Sequence, residues 1–261
     1  MRYAIIAAGE GSRLTQEGVA LPKPLVEVGG ESLILRLLRI FMVHGATEIC
    51  VICNDRTPLV EARLKEIQTA GISLSPSAEK TTVPLRYVVK STPSSMHSFY
   101  ELADWLDGDE SFVLTTVDTV FRETEFAEYL AAFKSCLAAG NDGLMGVTTY
   151  VDDEKPLYVE TDRRQRITAF ADAVGGTTKR IETADEGSGT YVSAGIYGLT
   201  PKALQTLRTC VARGESRMRN FQRALLRDGL QLQAWTFSKV LDVDHQSDIA
   251  KAEEFLKEQS E

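Results

Sequence analysis

The sequence of 261 residues can bury a substantial core, and its shares of hydrophobic (43%) and charged (25%) residues are typical of a folded globular protein and exclude a disordered one. The formal net charge of −8 argues against a general nucleic-acid surface, which needs a basic face, so an anionic ligand would have to meet a local group of cations. No apolar run approaches the roughly 20 residues that span a bilayer, and the amino terminus lacks a signal-peptide profile, so we expect a cytoplasmic protein with no membrane or nucleic-acid partner.

The first predicted element is a short buried strand over residues 3–6, and a glycine-rich loop follows it. The loop consists of Ala7, Ala8, Gly9, Glu10, Gly11 and Ser12 and leads into Arg13. Glycine has no Cβ and tolerates positive φ, so the backbone N–H groups of this loop can approach a phosphate chain closely. Arg13 and Lys23, the latter within a Pro-Lys-Pro segment, would supply two cations to the same anion.

Strands and helices then alternate, which predicts a parallel sheet with helical crossovers. The predicted strands cover residues 49–53, 85–89 and 112–117. Helices are expected from Ser32 to a stop at Gly45, over 59–70, across Phe99 to Leu106, and over 125–138. The polar stretch 73–83 is predicted to be a loop.

Two of the four cysteines, Cys50 and Cys53, have the spacing of half a zinc site or of a redox pair. They lie inside a predicted strand, where residues three apart point to opposite faces, so the two thiols should not bind one ion. We therefore expect the cysteines to be small buried hydrophobic residues in a reduced compartment.

Two polar features stand at the ends of predicted strands. The segment 91–98, which includes Thr92 and Ser94, is rich in Ser and Thr and precedes a helix, so its hydroxyls would ordinarily cap that helix. Asp118 follows the strand 112–117 and is either a turn residue or part of a site. Open parallel sheets bind ligands at the carboxyl ends of their strands, so Asp118 and the glycine loop should face one crevice.

The second half of the chain is richer in strands, which are predicted to be partly antiparallel and to cover the other side of the crevice. They span residues 144–150, 158–161, 167–171, 191–198 and 230–237, with helices over 201–211 and 218–228. Asp242 and Asp244 share a face if the chain is extended there, or else belong to a solvated loop. The last helix should begin near Ser247 or Asp248 and run to Lys257.

The pairing of Gly9-Glu10-Gly11-Ser12-Arg13-Leu14 with Pro22-Lys23-Pro24-Leu25 resembles the signature of the nucleotidyltransferase family that includes sugar-1-phosphate pyrophosphorylases and phosphocholine cytidylyltransferases. The segments 112–121 and 240–253 are also similar to that family. The loop matches neither a dinucleotide fingerprint, which needs a third glycine, nor a Walker loop. The resemblance implies an α/β, Rossmann-like (GT-A-like) fold with a central mixed, mostly parallel sheet flanked by helices. It also implies one domain over 1–261, with a nucleotide-binding half (1–140), an acceptor-side half (141–239) and a metal-ligand segment with the last helix (240–261).

The resemblance also implies a reaction, in which an NTP, with CTP or UTP favoured, and a phosphorylated acceptor such as a sugar 1-phosphate yield a nucleotidyl product and pyrophosphate. Residues Ala7 to Ser12 would bind the triphosphate, and Thr92 and Ser94 would line the base. Arg13 would hold the β- and γ-phosphates, and Lys23 would stabilise charge at the α-phosphate. Mg²⁺ would be bound by Asp118 with Asp242 or Asp244, and Gly195 would lie against the acceptor unless it only marks a bulge or close backbone approach.

The sequence departs from the family at two places. Val117 precedes Asp118 where glycine is usual, which would narrow the approach to a metal. The family's Glu-Lys-Pro is absent after the strand 167–171, so we expect Lys179 or Arg180 to supply the missing acceptor-phosphate cation, unless both are solvated loop charges.

Two other classes of function are considered, and the oligomeric state is left open. A nucleotide-sugar-dependent glycosyltransferase usually has Asp-x-Asp at mid-chain, where this chain has Asp118-Thr119-Val120. A non-catalytic nucleotide-sensing protein would have no need of Arg13, Lys23, Asp118 and the late aspartates together.

Overall fold

The structure is a computed structural model that describes residues 1–75, 77–151, 155–172 and 189–258. Its strands are β1 (Arg2–Ala7), β2 (Glu27–Val28), β3 (Glu31–Ser32), β4 (Glu48–Cys53), β5 (Ile72–Ser73), β6 (Lys80–Thr81), β7 (Leu85–Val89), β8 (Phe112–Thr116), β9 (Thr119–Val120), β10 (Gly143–Thr148), β11 (Tyr158–Thr161), β12 (Ile167–Ala171), β13 (Gly189–Leu199), β14 (Leu232–Phe237) and β15 (Leu241–Asp242). Its helices are α1 (Ser12–Gln16), α2 (Leu33–Val43), α3 (Pro58–Ala70), α4 (Ser95–Leu106), α5 (Glu123–Ala138), α6 (Lys202–Ala212), α7 (Met218–Arg227) and α8 (Gln246–Lys257), with a 3₁₀ turn at Lys23–Leu25.

The central sheet runs in the order β12-β11-β13-β8-β1-β4-β7, and β10 pairs with both β13 and β14. Strands β8, β1, β4 and β7 are parallel, whereas β13 is antiparallel to β8, β10 and β11. The predicted mixed sheet, with antiparallel pairing in the second half, is therefore confirmed. Because β1 and β8 are parallel neighbours, the glycine loop and Asp118 leave the sheet at the same edge.

Helices cover both faces of the sheet, because alternate residues of each central strand point to opposite sides. In β1, Ile5 packs with α2, α3 and α5, and Ile6 packs with α4, α6 and α7. Each face of the sheet thus has its own hydrophobic core. Cys53 lies in the core that contains Ile5, and Cys50 lies in the core that contains Ile6. All four cysteines are buried free thiols, as predicted, and burial raises the pKa of the Cys50 thiol to about 12.

The predicted regular elements are present, with shifts of a few residues at their ends, and the differences concern short segments. The stretch 73–83, predicted as a loop, contains a small antiparallel pairing of β5 with β6. The last helix spans Gln246–Lys257, in agreement with the predicted start near Ser247 or Asp248. The two-residue strands β9 and β15 are too short for a hydrophobic period to indicate them, and the five-residue α1 spans little more than one helical turn.

Candidate active site

A cavity of about 580 Å³ opens at the carboxyl ends of β1, β4 and β8, where the sequence places the glycine loop and Asp118. Its lining residues are Ile6, Ala8, Gly9, Glu10, Lys23, Asn54, Arg56, Ser91–Ser95, Ser98 and Thr116–Asp118. We call it the first cavity. Its volume is within the range of small-molecule sites.

The backbone of the glycine loop requires glycine at Gly11. This residue has φ of +62°, and a Cβ there would lie 3.0 Å from the Cβ of Lys23. Gly9 differs, because a Cβ at that position would meet no atom within 4 Å. Gly11 thus brings the loop against the segment that carries Lys23.

Lys23 connects the two sets of predicted site residues. Its buried ammonium donates to Asp118 Oδ2 at 2.7 Å and is also hydrogen-bonded to Asp244 Oδ1. Arg13 Nη1 donates to the second oxygen of Asp244 at 3.1 Å. The two predicted phosphate-binding cations and two of the three predicted metal ligands therefore form one connected group.

Burial and ion pairing act in opposite directions on this group. Burial disfavours the charged forms, but the carboxylates of Asp118 and Asp244 outweigh it and raise the pKa of Lys23. Burial likewise opposes ionisation of Asp118, while the Lys23 ammonium and a hydrogen bond from Thr116 hold its pKa below the usual range. The two groups are therefore charged at neutral pH.

Backbone pairing between β9 and β15 brings the segment that carries Asp242 against the turn that carries Asp118. Asp242 pairs with Thr119, and the Val243 N–H donates to the Asp118 carbonyl at 3.1 Å. Burial raises the pKa of Tyr197 to about 12, and the negative charges of Asp242 and Asp118 add to this rise. In the described part of the chain, no three His, Cys, Asp or Glu side chains stand together as a complete metal site.

A second cavity, of about 220 Å³, lies next to this group. Arg13, Asp242 and Asp244 line it, together with Lys251 and residues from β10 and β13. Gly195 has φ of +71°, where the pairing of β10 with β13 shifts register, and a Cβ at this position would lie 3.1 Å from Thr119 Oγ1. Gly195 therefore packs against the turn that carries Asp118, and its neighbours Val192–Ala194 line the second cavity.

Thr92 and Ser94 both line the first cavity, as their predicted role requires. Ser94 occupies the N-cap position of α4, but its hydroxyl makes no capping bond to that helix. The Ser94 Oγ instead contacts His97 Nδ1 at 2.9 Å and accepts the Arg217 N–H at 3.2 Å. Lys179 and Arg180 lie outside the described residues.

Sequence reasoning missed two residues at this site, Glu17 and Arg56. Glu17 Oε1 contacts His245 Nδ1 at 2.6 Å, and Glu17 Oε2 accepts the Gln246 N–H at 2.6 Å. Arg56 lines the first cavity and is paired with Glu10. Neither belongs to a motif, and their partners are distant in sequence, so no local signal identifies them.

The model of the family described as "Nucleotidyl transferase" matches residues 3–259. The chain belongs to this family. The predicted resemblance is thereby confirmed.

Relatives of this nucleotidyl transferase chain differ in their named substrates. The mannose-1-phosphate guanylyltransferase catalytic subunit beta of Dictyostelium discoideum is 27% identical over 209 residues, covering 80% of this chain and 52% of that protein. The glucose-1-phosphate cytidylyltransferase of Salmonella typhimurium is 24% identical over 131 residues, covering 46% of this chain and 51% of that protein. The nucleotidyl transferase chain thus spans about half the length of these curated relatives.

Solved structures confirm the predicted fold. The inositol-1-phosphate CTP transferase from T. maritima has a TM-score of 0.68 at 16% identity, covering 100% of this chain and 96% of that one. The CTP:phosphocholine cytidylyltransferase from Streptococcus pneumoniae also has a TM-score of 0.68 at 16% identity, covering 98% of each chain. In the described part of the nucleotidyl transferase, none of the helices combines the length and apolar character that crossing a bilayer requires.

Proposed function

We propose that this chain transfers a nucleotidyl group from an NTP to a phosphorylated small-molecule acceptor and releases pyrophosphate. The observation that carries the proposal is the Lys23 ammonium, which joins Asp118 of the first cavity to Asp244 of the second. In this proposal the NTP occupies the first cavity and the acceptor approaches from the second. A buried cation at their junction is where charge would develop during transfer.

The proposed reaction needs alignment and charge stabilisation rather than a general base. A phosphate monoester is already ionised near pH 7, because its second pKa is about 6. An acceptor phosphate oxygen would attack the α-phosphorus in line while the bond to pyrophosphate breaks. Lys23 would stabilise the α-phosphate. Binding of the β- and γ-phosphates by Arg13 stays a prediction, because Arg13 lines the second cavity and not the first.

We also propose that Asp118 and Asp242 hold Mg²⁺. Their donor atoms fit, because Mg²⁺ is commonly bound by one or two carboxylates together with substrate phosphates. Asp242 is proposed as the second ligand because the pairing of β9 with β15 sets it opposite Thr119, the residue that follows Asp118. A bound Mg²⁺ would supply Lewis-acid stabilisation of phosphate charge.

The base and the acceptor are proposed only by class. Our preference for CTP or UTP stays a prediction, because the relatives are named for guanylyl as well as cytidylyl transfer. The acceptor is proposed to be a sugar 1-phosphate or a similar phosphomonoester, in line with those names. An acceptor-phosphate role for Lys179 or Arg180 also stays a prediction.

The test is a matrix of the four common NTPs against sugar 1-phosphates, inositol 1-phosphate and phosphocholine, scored by pyrophosphate release. We expect release that requires both substrates. Glycosyl transfer from a nucleotide-sugar without pyrophosphate release would favour the glycosyltransferase alternative. NTP binding with neither reaction would favour a nucleotide sensor.

Metal dependence is tested in the same assay. We expect EDTA to stop turnover and excess Mg²⁺ to restore it. Asp118→Asn and Asp242→Asn should raise the Mg²⁺ concentration needed for half-maximal rate more than Asp244→Asn does, because they remove the proposed ligands. Full activity in EDTA would contradict the metal proposal, and the largest shift in Asp244→Asn would reassign the second ligand.

A further inference from the structure

Arg56 is a cation of the first cavity that the family signature does not include. It stands three residues beyond the end of β4, and its guanidinium pairs with the carboxylate of Glu10 in the glycine loop. Both side chains are largely in solvent, at 69% and 58% exposure. The pair therefore joins two walls of the same cavity at its open side.

The backbone of Arg56 is held firmly although its guanidinium is exposed. Asn54 is buried, and its Nδ2 donates to the Ala8 carbonyl at 3.1 Å while its Oδ1 accepts the Arg56 N–H at 2.7 Å. These bonds fix the position of Arg56 beside the glycine loop without using its charge. An exposed ion pair such as Arg56–Glu10 adds little to stability, so exchanging its carboxylate for another anion costs little.

The first cavity has few positive charges with which to bind a polyanion such as a triphosphate. Among the described lining residues, the charged side chains are two acids and two bases, namely Glu10, Asp118, Lys23 and Arg56. The Lys23 ammonium is already hydrogen-bonded to Asp118 and Asp244, whereas Arg13 lines the second cavity. Arg56 is the lining cation that an incoming phosphate chain can recruit by displacing a solvated carboxylate.

We propose that Arg56 binds the phosphates of the NTP and that Glu10 occupies its guanidinium when no nucleotide is bound. This inference rests on the proposed function, because it places the triphosphate in the first cavity. A guanidinium can grip phosphate oxygens through two parallel N–H bonds, which a lysine at this position could not do. Glu10 then acts as a competitor of the ligand, while the backbone of its loop binds the phosphates.

The opposite roles of the two residues give opposite predictions for binding. The probe is inorganic tripolyphosphate, which carries the phosphates without a base, and the measurement is its Kd by calorimetry at fixed ionic strength. We expect Arg56→Ala to weaken binding about tenfold, equal to about 1.4 kcal/mol. Arg56→Lys should recover part of that loss, and Glu10→Gln should tighten binding because the competing charge is gone.

Matched variants separate this inference from the proposed function. Arg63→Ala removes another ion-paired arginine, a half-buried one that is bonded to Glu66 on α3 away from the cavity, and should leave the Kd unchanged. Binding that is lost in Lys23→Ala but unchanged in Arg56→Ala would overturn the role of Arg56 alone. Equal weakening in Arg56→Ala and Glu10→Gln would also overturn it, because the pair would then act only by holding the loop. Absence of binding to the wild-type chain would contradict both proposals.

Discussion

Lys23 shows how a single residue of the site carries both structure and proposed chemistry. Its ammonium is buried and bonded to Asp118 and Asp244, which are 95 and 221 positions away in sequence. Removing it leaves two partly buried carboxylates without the cation that compensates them, which destabilises the folded protein. A substitution here is therefore expected to affect stability as well as turnover.

We expect Lys23→Ala to slow turnover by raising its activation free energy by about 2.7–4 kcal/mol. This is the typical effect of losing one charge-stabilising donor. Its melting temperature should also fall, because Asp118 and Asp244 then repel each other. The double variant Lys23→Ala/Asp244→Asn should recover stability without recovering turnover. Recovery of turnover in the double variant would contradict a direct role for the ammonium.

Gly195 offers a second test at the residue scale. Ala at φ of +71° is strained by about 1–2 kcal/mol, and its Cβ would also approach Thr119 Oγ1 and Thr116 Oγ1. Gly140 is the matched control, since it has φ of +83° but no atom within 4 Å of a Cβ. We expect urea unfolding to show a larger loss for Gly195→Ala than for Gly140→Ala, and only the former to lower turnover. Equal losses would mean that the contact with the Asp118 turn has no consequence.

At the scale of elements, the Asp142 carboxylate connects three parts of the second half of the chain. Asp142 comes directly before β10. Its carboxylate accepts a hydrogen bond from the Lys202 ammonium of α6 at 2.8 Å and another from the Gln231 N–H, ahead of β14, at 2.9 Å. Burial opposes its ionisation, but Lys202 and the Gln231 N–H outweigh burial and lower its pKa. The ionised carboxylate therefore stabilises the junction of these elements.

This lowered pKa predicts an acid-dependent loss of stability. A carboxyl whose pKa falls on folding stabilises the protein above its unfolded pKa of about 3.9, and that contribution disappears as the pH falls through the folded pKa. Asp142→Asn should cost ~1–2 kcal/mol at pH 7, a modest value because Lys202 is exposed. Urea unfolding at pH 7, 5 and 3 should show this difference shrinking below about pH 4. A difference independent of pH would assign the effect to packing alone.

At the scale of the whole molecule, the candidate site is assembled from both ends of the chain. Glu17 follows α1 and accepts a bond from Gln246, the first residue of α8, across 229 positions of sequence. Asp248 Oδ2 accepts the His245 N–H at 2.8 Å and so orders the same turn from within α8. The segment bearing Asp242 and Asp244 is therefore positioned by residues near the amino terminus.

We expect Glu17→Ala to increase hydrogen exchange in the segment 242–250 without changing exchange in β4 or β7. Glu17→Gln should behave more like the wild type, because its amide oxygen can still accept the Gln246 N–H. Mass spectrometry of peptides from both regions is the measurement. Uniformly faster exchange would show that Glu17 supports overall stability and not this segment.

Local sequence patterns determined much of this structure. Periods of two and 3.6 residues report which side of an element is buried, so they predicted the strands such as β1 and β8 and the amphipathic helices. The glycine loop and Asp118 were placed at one sheet edge because the carboxyl ends of parallel strands meet there. These inferences need only short stretches of chain and general rules of topology.

Only the tertiary structure decided which distant side chains meet. A sequence pattern shows that Glu17, Arg56 and Asp244 are polar, but their partners lie 46 to 231 positions away and share no period with them. Sequence patterns also do not distinguish Asp242 from Asp244, because both are aspartates in the same short segment. Pairing of β15 with β9 sets Asp242 opposite Thr119, while Lys23 and Arg13 bind the carboxylate of Asp244. Hydrophobic periodicity fixes burial along the chain, whereas these contacts depend on where folding brings its two ends together.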